Sequence, residues 1–296
     1  MDIELLASRA EALIGDEGLT TTALPRVGLF SAKHPVPREP VLYESWVVVQ
    51  LRGSKLLHHA GREFVFGAGS VLTITPGAPV DCEMRVRSGE PLVSLFLEVR
   101  TEELLEAATL AGARKGEDER PPRLMDVSPM DERLFDVCRR LLDLLHDPVD
   151  ASALGEPTIR ELIYRTVQNG PRNELLELAG SRSAAPVLKA VRSLRESYDQ
   201  EVSVEDLARS VGMSVSSFHE HFKRITGHPP LRYLKGIRLG RARQLLRTGH
   251  VTAEQTAIRV GYQSASQFSR EYKRYFGKSP AEDRPTRSAQ RSVAVG

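Results

Sequence analysis

A repeat in the last third of the chain is the strongest constraint on how it can fold. Ser203, Leu207, Ala208, Val211 and Gly212 recur 49 residues later as Thr252, Thr256, Ala257, Val260 and Gly261. Past the glycine the offset becomes 50. Phe218, Phe222, Lys223, Arg224, Gly227 and Pro230 then recur as Phe268, Tyr272, Lys273, Arg274, Gly277 and Pro280. One residue inserted in the second copy's turn accounts for the change of step. A turn glycine, a small helix residue and two aromatics kept in register mark a duplicated structural unit.

Each copy reads as a helix–turn–helix. Ser203 and Thr252 are N-caps, with Asp206 and Gln255 placed as capping-box partners. Ala208 and Ala257 lie on the apolar face, where a small side chain lets a second helix cross closely. Gly212 and Gly261 end the first helix, where a left-handed backbone costs glycine least. Ser214 and Ser264 can cap the second helix. On that helix Phe218 and Phe222, or Phe268 and Tyr272, are one turn apart and face inward. An ordinary helical hairpin explains one copy alone; two copies in step argue against it.

With those aromatics buried, the outward face of the first recognition helix carries Ser216, Ser217, His219, Glu220 and Lys223. The second presents Ala265, Ser266, Gln267, Ser269, Arg270 and Lys273. Arg270 suits guanine N7 and O6, Gln267 adenine, His219 a purine edge and Glu220 the cytosine amine. Lys223, Arg224, Lys273 and Arg274, towards the helix ends, suit phosphates. Between the copies, Pro230 to Arg247 reads as one amphipathic helix, roughly 26 Å long at about 1.5 Å per residue. A spacer of that length can set two recognition helices in successive major grooves, about 34 Å apart. Its basic residues Arg232, Lys235, Arg238, Arg241 and Arg243 are expected to face the DNA backbone or make surface ion pairs.

The charge distribution supports a polyanion partner. The formal net charge of +2 divides into +11 over residues 181–296, with 21 Lys and Arg against 10 Asp and Glu, and −9 over the rest. A basic module fused to an acidic one fits double-stranded DNA as the ligand of the former.

The acidic part is organised differently. Residues 1–24 read as an N-terminal arm. From Pro25 to Arg100 come short β-rich runs, Val41–Leu51, Lys55–His59, Glu63–Phe66, Val71–Thr75, Val80–Val86 and Leu92–Val99, separated by Gly- and Pro-containing turns. That spacing implies an antiparallel sandwich or barrel. Helices follow at 102–111, 131–146, 156–167 and 172–178, with a polar loop at 114–123. In the second of these Leu134, Cys138, Leu141 and Leu145 form an apolar seam, which serves either packing on the barrel or a second copy of the chain. Gly180 to Pro186 has linker composition, placing the domain boundary at 181–186. The expected fold is therefore mixed α and β: a β-barrel with flanking helices over residues 25–180, then an all-α domain with two helix–turn–helix motifs joined by a long helix over 187–284, and a basic tail over 285–296.

Residues 187–284 resemble the DNA-binding domain of the AraC/XylS family of transcription regulators, including the closing Phe276-Gly277-Lys278-Ser279-Pro280 and Arg284. Residues 25–180 more weakly resemble the cupin-like N-terminal domain of one branch, in Val41-Leu42-Tyr43-Glu44, Pro79-Val80, Glu161-Leu162-Ile163-Tyr164-Arg165 and Asn169-Gly170-Pro171. The resemblance implies a cupin-like barrel and a sequence-specific regulator. It also implies that Ser216, His219, Glu220, Ser266, Ser269 and Arg270 contact bases. A homodimer, an unidentified small-molecule effector and RNA polymerase are the further partners expected.

A closed β-barrel can hold one small ligand in its mouth. Tyr43, Trp46, Phe64, Phe66, Met84 and Arg85 are the candidate lining, with core packing the alternative for each aromatic. Arg120-Pro121-Pro122-Arg123 offers a clamp for an anion such as a cyclic dinucleotide, or a solvated loop. His58 and His59, adjacent on a strand, point to opposite faces, so no metal site is expected. No nucleophile–base signature or phosphate loop is present, which leaves a cupin-type enzyme tethered to DNA as the weaker alternative, with no cofactor expected. Two cysteines, Cys82 and Cys138, read as reduced core thiols. The start Met-Asp-Ile-Glu is acidic where a secretory signal is basic, and no apolar run reaches membrane-spanning length; a cytoplasmic, nucleoid-associated protein is expected.

Overall fold

In the computed structural model, Leu6, Ala7 and Ala10 lie on one face of helix α1 (Ile3–Glu11) and are fully buried, with Asp2 capping the helix through the Glu4 and Leu5 amides. The structure describes residues 1–87, 89–112, 125–247 and 249–284, which form two compact units with their main break between Ala184 and Ala185. The first 24 residues are thus no arm. The apolar stripe of α1 needs a partner and finds it in the first unit's core, and β1 (Gly18–Thr21) pairs antiparallel with β2 (Val27–Ala32).

Eight more strands complete two sheets. They are β3 (Val36–Leu42), β4 (Trp46–Arg52), β5 (Ser54–His59), β6 (Arg62–Gly67), β7 (Ser70–Ile74), β8 (Pro79–Arg85), β9 (Leu92–Glu98) and, after a helix, β10 (Met125–Pro129). The larger sheet runs β1-β2-β9-β4-β7-β10 and the smaller β3-β8-β5-β6. The expected run Val41–Leu51 splits, because its two ends belong to different sheets. The corner at Tyr43–Ser45 is held by the Tyr43 amide on the Ala78 carbonyl and the Gly77 amide on the Ser45 hydroxyl, both 3.0 Å.

Period-two alternation gives the larger sheet two apolar faces, so both must be covered. Leu29, Val47, Val49, Val71, Leu95 and Leu97 project to a core shared with α1, α2 (Thr101–Ala111), α3 (Glu132–Leu144), α4 (Pro148–Asn169) and α5 (Arg172–Gly180). Leu134, Cys138, Leu141 and Leu145 of the α3 seam are all buried there, at 0, 0, 0 and 6% exposure. The seam is used up inside one chain, where α3 packs on α1 and α4, and is not open to a second copy. Helix α4 begins earlier than its sequence pattern predicts, since Asp147 caps it and Pro148 suits its first turn. The loop 114–123, with Arg120-Pro121-Pro122-Arg123, and the tail 285–296 lie outside the described residues.

The second unit contains α6 (Ala184–Glu196), α7 (Val204–Ser210), α8 (Val215–Thr226), α9 (Pro230–Arg247), α10 (Ala253–Arg259) and α11 (Ala265–Phe276). Helix α6 starts inside the expected linker, because two alanines favour helix and Pro186 is tolerated in a first turn. The two copies obey their caps. The Ser203 hydroxyl accepts from the Asp206 amide at 3.2 Å and the Thr252 hydroxyl from the Gln255 amide at 3.1 Å. Only the second copy closes a full capping box, with the Gln255 side chain on the Thr252 amide; Asp206 instead turns to Arg209. Gly212 and Gly261 sit at φ +70° and +81°, as a left-handed turn requires.

Their surroundings differ. A Cβ on Gly212 would meet nothing within 4 Å, whereas one on Gly261 would collide with the Asp199 carbonyl. Gly212→Ala should therefore cost only the left-handed penalty, about 1–2 kcal/mol. Gly261→Ala should cost clearly more, because backbone must also move. Denaturant melts of the two variants check this; equal losses would contradict the asymmetry.

Candidate nucleic-acid interface

Which face a recognition helix shows to solvent is set by what its other face buries. On α8, Phe218 and Phe222 are completely buried, 5.4 Å apart between ring centres, and Phe222 meets Tyr233 of α9 edge-on at 5.5 Å. On α11, Phe268 and Tyr272 are equally buried and pack with Tyr262 and Phe276. Helix rotation then leaves Ser216, His219, Glu220, Lys223 and Arg224 exposed on α8, and Ser266, Gln267, Arg270, Lys273 and Arg274 exposed on α11. Ser269 is half-buried. Ser217 is half-buried too, its carbonyl 2.7 Å from His221 Nδ1, so it contributes less to the outer surface than its position in the sequence suggests. The structure thus brings the expected base-reading side chains together on two short faces, one per copy. Gln267 is turned along its helix towards the Glu271 carboxylate.

Helix α9 is less free than a basic spacer would be. Lys235 pairs with Glu271 at 2.7 Å, and Tyr262 donates to the same carboxylate at 3.0 Å. Burial alone would raise Glu271, but these hydrogen bonds and the Lys235 charge hold it below the usual carboxylate range. Arg238 donates to the Tyr198 and Gln200 carbonyls. Arg243 departs furthest from expectation. Its side chain is 8% exposed, donates to Asp283 at 2.9 Å and lies 4.6 Å over the Phe276 ring. Arg243 is therefore neither a phosphate contact nor a surface ion pair. The bare sequence pattern hides this, because Asp283 lies 40 residues further along the chain.

In the first unit, Trp46, Phe64, Phe66 and Met84 lie on the inner faces of the two sheets, and Tyr43 lies at the corner beside Trp46. Tyr43 and Phe66 are buried and the other three half-buried. Arg85 is not among them. Met84 stands opposite Lys55 in the β5–β8 pairing, so alternation turns Arg85 outward, where it pairs with Glu83. Sequence reasoning misses Phe30 and Phe96, which extend the inner aromatic row, and Lys55, which is buried with its Nζ 4.7 Å from the Phe96 ring centre and 5.0 Å from that of Phe30. Burial pushes Lys55 down to about 8, against a small upward push from Cys82. His58 sits beside Glu63, and His59 is buried. Among the described residues no three His, Cys, Asp or Glu converge as a metal site requires. Cys138, buried among apolar neighbours, is pushed up to about 12, as befits an inert core thiol.

Residues 23–173 match the family model described as the AraC-type transcriptional regulator N-terminus, and residues 207–285 match a helix-turn-helix domain. The first match alone takes in half of the sequence. The chain belongs to the AraC/XylS family. Among curated AraC-type proteins it is similar to the HTH-type transcriptional activator RhaS of Salmonella schwarzengrund, 30% identical over 149 residues, which are 50% of this chain and 52% of RhaS. RhaS of Salmonella newport is 29% identical over the same length. The chain spans about half the length of the curated relatives it matches. Its fold is similar to that of unsaturated fatty acid-bound ToxT from Vibrio cholerae, with a TM-score of 0.60 at 12% identity over 86% of this chain and 93% of that one. A second crystal form of ToxT from the same organism gives 0.54 at 10%, over 86% and 97%. Among the described residues no helix is long and apolar enough to cross a membrane.

In this AraC-type chain the Arg243–Asp283 pair ties α9 to the closing segment, and the Tyr272 hydroxyl adds a 2.7 Å bond to the same carboxylate. Burial would raise Asp283, yet the Tyr272 hydrogen bond and the charges of Arg243 and Arg247 outweigh it and keep it below its ordinary 3.8. A depressed carboxylate stabilises the fold above its unfolded value and loses that contribution as pH falls below it. Asp283→Asn should destabilise the second unit by about 1–3 kcal/mol at neutral pH, because the carboxylate that accepts from both Arg243 and Tyr272 becomes a neutral amide while Glu39, 2.7 Å from Arg243, still pairs with it. The gap between variant and parent should shrink on acidification below pH 4. Urea melts at pH 7 and pH 3.5 check both parts.

Proposed function

We propose that this protein is a sequence-specific, double-stranded-DNA-binding transcription regulator, and that its two recognition helices read successive major grooves. The observation that carries the reading is the pair of outward faces on α8 and α11, each fixed by a buried aromatic pair one turn behind it. Family membership and the net +11 of residues 181–296 support it. On this reading Ser216, His219, Glu220, Ser266, Gln267, Ser269 and Arg270 face base edges. Lys223, Arg224, Lys273 and Arg274 hold phosphates, and Ala208, Gly212, Ala257 and Gly261 keep the helix crossings tight.

The first unit then senses a small molecule and pairs two chains, through a surface other than the buried α3 seam. RNA polymerase is the partner through which such a protein acts on transcription, and the cytoplasm is where it meets DNA. The domain plan is a sensing unit up to the Gly180–Pro186 stretch and a DNA-binding unit over 187–284. Two relatives at 29–30% identity are transcriptional activators, and ToxT has been captured with an unsaturated fatty acid. Both facts favour regulator over enzyme, and no observation favours catalysis.

The two classes of contact are separable. Arg270→Ala should relax preference at one base-pair position by about 1–3 kcal/mol, whereas Lys273→Ala should weaken all sequences alike and flatten the salt dependence. Selection from randomised sites followed by salt titrations reads both. An unchanged preferred sequence without Arg270 would contradict its role, and a chain with only sequence-independent affinity would contradict the whole reading.

A further inference from the structure

Gln267 is exposed on α11, yet its side chain is not free to turn. Glu271 follows it by one helical turn on the same side of the helix, and the Gln267 side chain hydrogen-bonds to that carboxylate. The carboxylate is itself held from behind. Its Oε2 takes the Lys235 ammonium of α9 at 2.7 Å and the Tyr262 hydroxyl at 3.0 Å, and Arg274 stands 4.0 Å from Oε1. Burial would raise Glu271, but the hydrogen bonds of Lys235, Tyr262 and Gln267 outweigh it, so the group is ionised at neutral pH. An ionised carboxylate only accepts. Gln267 must therefore turn its amide nitrogen, and not its carbonyl oxygen, towards Glu271.

The outer edge of Gln267 is then one N–H donor beside one oxygen acceptor. Adenine offers the matching pair, the N7 acceptor and the N6 amine, whereas guanine offers two acceptors, N7 and O6. A glutamine free to rotate could meet both guanine acceptors with the two hydrogens of its amide nitrogen. Here one of those hydrogens is engaged. The first copy lacks the arrangement, because Ser217 and His221 stand at the equivalent positions 50 residues earlier. Ser217 is short and half-buried, and its carbonyl lies 2.7 Å from His221 Nδ1. We propose that Glu271 is a positioning residue for DNA reading: it fixes the amide of Gln267 so that α11 discriminates adenine from guanine at one base pair, while Lys235 and Tyr262 hold the carboxylate still. The inference rests on the reading of α11 as a DNA reader and adds how one of its side chains becomes selective.

The full chain is put through selection from randomised duplexes, and Gln267→Ala identifies the position that this side chain reads. Affinities for the selected duplex with adenine or guanine at that position are then compared. The parent chain should prefer adenine by about tenfold, and 7-deazaadenine, which lacks the N7 acceptor, should cost a similar factor. In Glu271→Gln, whose amide donates as well as accepts, adenine and guanine should come within about threefold of each other, with the base read by Arg270 unchanged. Glu271→Asp keeps a charge beside Lys235 on a shorter arm and should lose discrimination in the same direction, so a Glu271→Gln chain that fails to fold leaves the test intact. A side chain that only stabilised the fold would lower affinity for all sequences alike. An adenine-to-guanine ratio unchanged in both Glu271 variants would therefore overturn the inference. A selected sequence unaffected by Gln267→Ala, or a base other than adenine at its position, would overturn it too. In each of these cases a preference that Arg270→Ala relaxes keeps α11 as a reader. A parent chain with no sequence preference overturns the reader and the inference together.

Discussion

Two aromatic side chains one helical turn apart, buried twice over, are what the second unit depends on. Phe218 and Phe222, and Phe268 and Tyr272, fix the rotation of α8 and α11 about their own axes. A helix rotated by one residue, about 100°, would present a different set of side chains to DNA. Burial of large rings with no residual exposure makes such rotation costly, so the outward faces are set by the core behind them. Helix α9 extends that control over distance. It packs against both halves, and its own basic side chains Lys235, Arg238 and Arg243 are turned to Glu271, to backbone carbonyls and to Asp283 rather than to solvent. A spacer whose inward charges are engaged in this way holds its two ends in a fixed relation. That is the mechanical requirement for reading two grooves at once.

The first unit solves a different problem. Its larger sheet is apolar on both faces and separates two interiors of unlike character. On the helix side the interior is aliphatic and closed, built from leucine and valine with the α3 seam inside it. Between the sheets it is aromatic, contains the buried Gln50–Ser94 hydrogen bond and encloses Lys55. The second interior tolerates an unpaired ammonium and half-buried rings, features that packing alone would remove.

What the sequence reveals follows the range of the interactions involved. Caps, turn glycines and the α9 span are local, decided within a few residues, and the structure matches them almost residue for residue at Ser203, Thr252, Gly212, Gly261 and Pro230–Arg247. Strand β10 escapes the pattern because Met-Asp-Val-Ser-Pro is short and half polar, and it becomes a strand only by pairing with β7. The role of α1 escapes because burial of Leu6, Ala7 and Ala10 depends on a core assembled from segments far along the chain. The seam on α3 is legible as apolar, but periodicity cannot say whether the partner is the same chain or another. Arg243 and Lys55 escape for one shared reason. Basic residues are read as surface by default, and only tertiary structure shows Asp283 waiting for one and a ring of phenylalanines around the other.

If α9 rigidly couples two readers one DNA turn apart, the phase between their subsites must matter, and helical phasing measures that. On the proposed reading, a preferred site for the full chain contains two subsites. Inserting five base pairs between them moves the second to the opposite face of the duplex, and ten restore the face while stretching the distance. Rigid coupling predicts that the five-base-pair insertion lowers affinity to that of a single subsite. It predicts no recovery at ten, since α9 cannot lengthen. Affinity unchanged by either insertion, measured by competition gel shift at fixed salt, would contradict it.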